Sequence, residues 1–402
     1  MRAVIMAIGT HNAPAAAEPV VDSLAGQARE RTGLTDLGGD SWREGLTILV
    51  DALESTPNVM PTGRDELYGR FTDALSNRLR VIDYLNRHPD IACQRINQPI
   101  VILGLPRTGT TLASYLLDTD PARRSLLNWE ADDSVPPPAT ESLRTDPRCL
   151  AKKAALDELA AVLEKARFPI PHWEDADGPT ECSSVHIQDF KALQWEAYMP
   201  TSRYSDWYLE ADMTSTYEYE RLVLQLLQSQ APGTWSLKMP SHSVHIDTLL
   251  TAFPDARIVW AHRDPFKATA STLSMHKLSR SRILGPDFDI ATAVPFLIRQ
   301  LRAHVERPLR ARERIGDEKF FHLHYAALMR DPVGQMRLLY EWAGDPLLPE
   351  VEQAMRSWLE RHPQDRFGLR RYSLEEFGVT KADLAPVYDE YLSAFDIELE
   401  ES

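Results

Sequence analysis

The sequence predicts an α/β fold: a central parallel sheet flanked by helices, with a helical region on its N-terminal side. Three observations predict it. From Gln98 onward, short apolar runs alternate with amphipathic stretches, and apolar strands joined by helices make a parallel sheet covered on both faces. The first of those runs passes through a glycine-bearing turn straight into a helical pattern. The first 95 residues carry apolar side chains at helical spacing instead.

The N-terminal region comes first. "SWREGLTILVDALES" (41–55) puts Trp42, Leu46, Leu49, Val50 and Leu53 on one face. "RDELYGRFTDALSNRLRVIDYLNRHP" continues the pattern with Leu67, Phe71, Leu75, Leu79 and Ile82, and Pro89 stops it. The expected division is therefore a helical region over 1–95, packed on an α/β domain over 96–402. The first 19 residues, with one short apolar patch, are expected to form a loosely packed arm without a secretory signal.

The expected strands are "PIVIL" (99–103), "TWSLKM" (234–239), "ARIVWAH" (256–262) and "KFFHLHY" (319–325), with helices such as "TYEYERLVLQLLQSQ" between them. Two proline-rich loops, 132–141 and 167–179, are places where such folds carry binding and catalytic groups. No apolar run reaches about 18 residues, so no membrane-spanning helix is expected. The net charge of −15 speaks against nucleic-acid binding, while a small anion needs only a local basic pocket. Three cysteines, Cys93, Cys149 and Cys182, fit no zinc or CxxC spacing and suggest a reducing, cytoplasmic setting.

The turn after the first strand is "GLPRTGTT", Gly104 to Thr111. Its glycines permit backbone angles that let successive N–H groups converge on an anion at a helix N-terminus. The sheet is therefore P-loop-like. An NTPase loop carries lysine after its second glycine, and here that position is Thr110. The basic residue is Arg107, whose planar fork suits oxyanions. No acidic strand end supplies a magnesium partner, which disfavours a metal-dependent NTPase. In "RIVWAHRDPFKATASTLSM" (257–275) a second anion site is expected. Arg263 ends a strand, Asp264 and Pro265 open a helix as N-cap and N1, and Ser271 follows about two turns later. The plainer reading of Arg263 is a salt-bridged strand end. A protein-kinase reading of "HRD" fails, because position 269 is threonine rather than asparagine.

These segments resemble the PAPS-dependent sulfotransferases, most closely the bacterial branch common in mycobacteria and other actinobacteria. "PIVILGLPRTGTTLASYLL" is similar to that family's 5′-phosphosulfate loop and "RIVWAHRDPFKATAST" to its 3′-phosphate strand and helix. "WSLKMPSHSVHIDTLLTAFPDA", "FFHLHYAALMRDP" and "RRYSLEEFGV" resemble three further elements in the family's order, so the likeness spans residues 98 to 380.

The resemblance implies a sulfotransferase that uses 3′-phosphoadenosine-5′-phosphosulfate (PAPS), releases PAP, and needs no metal. It implies that Arg107, Thr108, Gly109, Thr110 and Thr111 hold the phosphosulfate and that Arg263 and Ser271 hold the 3′-phosphate. Tyr325 would border the nucleoside, and Arg370 and Arg371 would close over the donor. Arg107 would also stabilise the leaving oxygen. Two general bases compete, Glu130 ahead of His186; Lys238 and His242 are candidate helpers. Trp129, Trp173, Trp195, Trp207 and Tyr208 either line an apolar acceptor cavity or belong to the core. The acceptor expected is a small molecule, lipid or glycolipid with a hydroxyl group, and a homodimer is compatible with the sequence. A small-molecule kinase and a non-catalytic PAP-binding protein are the alternatives.

Overall fold

The computed structural model describes residues 17–165, 174–199, 201–362 and 373–400. The proposed N-terminal arm lies almost wholly outside them, as do Trp173, Arg370 and Arg371.

Five parallel strands form the sheet: β1 (Ile100–Gly104), β2 (Arg123–Ser125), β3 (Thr234–Lys238), β4 (Arg257–His262) and β5 (Phe320–His324). Their spatial order is β2-β3-β1-β4-β5. Four coincide with the expected runs. The fifth, β2, is the three-residue edge strand "RRS" beside β3, and it carries no apolar run by which to find it. Along β1, Val101 and Leu103 enter one core while Ile100 and Ile102 enter the other, as alternation on a doubly covered strand requires.

Three helices precede the sheet: α1 (Glu18–Thr32), α2 (Ser41–Ser55) and α3 (Pro61–Arg87). Their apolar faces share one continuous core with Val101, Leu103, Ile258 and Trp260 of the sheet. Helix α1 has weak amphipathy and packs through Val21, Leu24, Ala25 and Ala28. Two buried polar links tie α3 to the rest of the chain. Arg78 pairs with Asp189 at 3.1 Å, and Asn77 donates to Ser134 Oγ at 3.2 Å.

Further helices follow and connect the strands. These are α4 (Thr110–Leu117), α5 (Asn128–Asp132), α6 (Pro147–Lys165), α7 (Ser183–His186), α8 (Thr214–Gln228), α9 (Pro265–Leu284) and α10 (Val294–Ile315). Asp264 caps α9, accepting from the N–H groups of Phe266 and Lys267, with Pro265 in its first turn. Among the described residues no helix is long and apolar enough to cross a membrane.

Candidate active site

The loop between β1 and α4 is built for close approach. Gly104 has φ +135°, and a Cβ there would lie 2.5 Å from the carbonyl oxygen of Ala261 on β4. Gly109 has φ +85° and caps α4, and its missing side chain leaves room for the Tyr325 ring. Arg107 itself takes φ +67°, a left-handed conformation that non-glycine residues adopt rarely and mostly where function holds them. The turn presents its backbone at the positive end of α4. Thr108 is buried and donates to the carbonyl of Leu105, which closes the turn. Thr110 and Thr111 open the helix and line the neighbouring cleft.

The second strand end meets the first. In register, Gly104 of β1 pairs with Ala261 of β4, and His262 pairs with His324 of β5. Arg263 and Tyr325 therefore project beside the loop. Arg263 donates to the carbonyl of Arg107 at 2.7 Å, and its guanidinium lies 4.0 Å from the centre of the Tyr325 ring. Arg107 Nε donates to Ser271 Oγ at 3.2 Å. Four residues singled out in three segments thus converge: Arg107, Arg263, Ser271 and Tyr325. Arg263 also grips an oxyanion, because Glu400 accepts from its Nε and Nη2 at 2.5 and 2.8 Å. Burial is the largest influence and opposes the Arg263 charge, but the hydrogen bonds to Glu400 together with the nearby Tyr325, Glu400 and Asp264 more than offset it and hold the pKa above its ordinary value.

Beside this cluster opens a cleft of about 860 Å³. The side beside this cluster carries Arg107, Gly109, Thr110, Thr111, Arg263 and Tyr325. One wall is apolar, with Leu156, Leu159 and Leu163 of α6, Met275 of α9, and Leu297 and Leu301 of α10. Helix α3 contributes Arg70, so the N-terminal region reaches the cleft.

The expected bases are elsewhere. Glu130 is fully buried, pairs with Arg124 at 2.5 Å and accepts the N–H of Leu127 at 2.8 Å. Its carboxylate closes α5 onto β2 and does not line the cleft. His186 is also fully buried, with Nε2 at 2.7 Å from Glu220 Oε2, and it too is absent from the cleft wall. Both placements correct the expectation drawn from the sequence. Each side chain stands in a segment near the site, but the backbone turns it inward. Trp129, Trp195 and Tyr208 are core residues, and Trp207 packs against that core. The cleft's aromatic rings come instead from Tyr115, Tyr198, Tyr325 and Trp358.

The acids that do line the cleft are Asp175 and the pair Glu174 and Glu181. The pair flanks Lys238 at the end of β3, with Nζ at 3.0 Å from Glu181 and 3.3 Å from Glu174. Burial alone would lower the Lys238 pKa, but the two carboxylates more than offset it and hold it above its ordinary value. Glu181 keeps 30% of its side chain exposed, whereas Lys238 keeps 1%. An accessible carboxylate over a buried ammonium is an arrangement able to take a proton from a bound hydroxyl. Glu181 stands in the same short segment as His186, and its one sequence signal was position directly after a proline-rich loop.

Comparison with known proteins agrees with this geometry. Residues 99–349 match the profile described as "Sulfotransferase family". The structure superposes on the sulfotransferase STF9 from Mycobacterium avium with a TM-score of 0.89 and 51% identity, covering 98% of this chain and 100% of that one. Sulfotransferase STF1 from Mycobacterium tuberculosis H37Rv gives a TM-score of 0.80 and 27% identity, over 92% and 98% of the two chains. The omega-hydroxy-beta-dihydromenaquinone-9 sulfotransferase Stf3 of Mycobacterium bovis is 25% identical over 313 residues, 73% of this chain and 74% of that protein. With the phosphate-type loop, the paired arginines and a family match over most of its length, the chain belongs to the sulfotransferase family.

Proposed function

We propose that this sulfotransferase moves a sulfuryl group from PAPS to a hydroxyl of a lipid or other largely apolar acceptor. One observation carries the reading. Arg107 and Arg263, from different strand ends, meet beside one cleft, and Arg263 already holds a carboxylate in a two-point grip. Two cationic groups from neighbouring strand ends suit a donor with a phosphosulfate at one end and a 3′-phosphate at the other. The loop from Arg107 to Thr111 would take the phosphosulfate. Arg263 and Ser271 would take the 3′-phosphate, with Tyr325 against the nucleoside.

The chemistry follows from the residues. The acceptor oxygen forms the new O–S bond as the bond from sulfur to the bridging oxygen breaks, in line. Arg107 stabilises the charge that develops on that leaving oxygen. Glu181 takes the acceptor's proton, with Lys238 holding it in place. The apolar wall of α6, α9 and α10 excludes water and seats the body of the acceptor. The Mycobacterium bovis relative is named for a hydroxylated dihydromenaquinone, and such an acceptor is compatible with this wall.

Calorimetric titration with PAP in magnesium-free buffer tests the reading, with magnesium-ATP titrated in parallel. PAP is expected to bind, and Arg263→Ala to weaken it by at least about tenfold, since a charged hydrogen bond contributes about 1.5–3 kcal/mol. Binding of magnesium-ATP without PAP would overturn the sulfotransferase reading in favour of a kinase.

A further inference from the structure

Behind the segment that carries Glu181, three side chains from three elements close on one buried point. Cys182 precedes α7, Glu220 lies on α8, and His242 follows β3. One ligand-capable atom of each lies within 4.8 Å of the other two, and all three residues are fully buried. None of them lines the cleft.

In this cluster His242 Nε2 has no hydrogen-bond partner, and the Glu220 carboxylate, its Oε1 otherwise unpartnered, faces the Cys182 thiol within hydrogen-bonding reach. Buried polar atoms are almost always paired, because leaving one without a partner forfeits the hydrogen bonds it made to water. The neighbouring residues make the pattern more specific. His186 Nε2 lies 2.7 Å from Glu220 Oε2, and the Tyr217 hydroxyl lies 2.9 Å from His242 Nδ1. Glu220 and His242 are thus each held from behind through one atom, with the second atom left for a further partner, which is how outer residues orient metal ligands.

We propose that Cys182 Sγ, Glu220 Oε1 and His242 Nε2 bind a divalent transition-metal ion of the zinc type, with a water molecule in the fourth position. A thiolate, an imidazole and one carboxylate suit zinc or cobalt, whereas magnesium and calcium prefer oxygen ligands. The thiolate and carboxylate charges balance the ion, so the buried set is neutral. Binding releases the thiol proton to solvent. Tetrahedral bonds of about 2.0–2.3 Å place ligand atoms about 3.3–3.8 Å apart, so the cluster contracts by no more than about 1.5 Å.

The ion's part is to hold structure in place. Cys182 follows Glu181 in the chain, and its N–H donates to the carbonyl of Lys238 at 3.0 Å. A metal at this point ties the Glu181 turn and the end of β3 to α8. It touches neither donor nor acceptor, and the inference stands whether or not PAPS is the donor.

The test is metal analysis of the full chain, purified from zinc-supplemented cells, followed by cobalt titration of chelator-treated protein. An equimolar amount of zinc and a thiolate-to-cobalt charge-transfer band are expected in the wild type and in Cys93→Ser, which removes the exposed cysteine. Cys182→Ser, confirmed as folded by circular dichroism, should lose the band and at least about tenfold of the metal affinity. Should Cys182→Ser fail to fold, the wild type still decides by metal content, cobalt spectrum and a fall in thermal midpoint on chelation. Wild-type protein with no zinc and no cobalt band would overturn the proposal, as would metal retained undiminished in folded Cys182→Ser.

Discussion

The end of the cleft proposed for the donor and the end proposed for the acceptor are built in opposite ways. At the donor end each group sits on a short local motif, a strand running into a turn and a helix. Arg107 and Arg263 follow β1 and β4, adjacent strands, so parallel pairing alone brings them together. At the acceptor end nothing is local. Glu181 stands before α7, Lys238 ends β3, and the apolar wall comes from α6, α9 and α10. A function assembled from motifs can be found in one dimension, while one assembled from packing cannot.

That contrast can be broken or sharpened, beginning with the acceptor end. Glu181→Gln is expected to cut kcat by about 10²–10⁴-fold with PAP affinity unchanged, as removal of a general base does. Steady-state rates and PAP calorimetry on the same protein check it, and equal losses in both would move Glu181 to the donor end. Arg107→Ala should lower kcat by about 10²–10³-fold through loss of charge stabilisation on the leaving oxygen. Arg107→Lys should recover part of that loss, and no recovery would assign Arg107 a role in shape rather than charge.

Glu130→Gln separates the buried Glu130 from the proposed base, Glu181. It leaves Arg124 buried without its counter-charge, which costs roughly 3–5 kcal/mol, so the thermal midpoint should fall while kcat of the folded enzyme is kept. A kcat loss as large as that of Glu181→Gln would restore Glu130 as the base. The smallest effect concerns Glu400. Its pair with Arg263 is partly exposed and is worth about 0–1 kcal/mol, so Glu400→Gln should tighten PAP by no more than about fivefold. Weaker PAP binding in that variant would show that Glu400 supports the site instead of competing for it.

Much of the fold was legible because periodicity reports burial. Four strands and helices α2 and α3 lie where alternation and 3.6-residue spacing put them. Helix α1 was harder to see, since its buried face is partly alanine, and β2 was invisible because three polar residues carry no pattern. At the site, the glycine turn and the arginine after β4 marked themselves by residue type and spacing. Glu130 and His186 misled for a common reason. A titratable residue near a motif looks the same in sequence whether its side chain points to the cleft or to the core.

The sequence by itself determined the apolar strand runs of the sheet, the glycine turn after β1 and the arginine after β4, because each shows in a local pattern of residue type and spacing, and the order of such segments along residues 98 to 380 carried the family resemblance. Only the tertiary structure decided which acid faces the cleft, that Glu400 reaches Arg263 and that Cys182, Glu220 and His242 meet. Those contacts join residues 22 to 137 positions apart. The direction of each such side chain is set by how whole elements pack, and no local pattern encodes it.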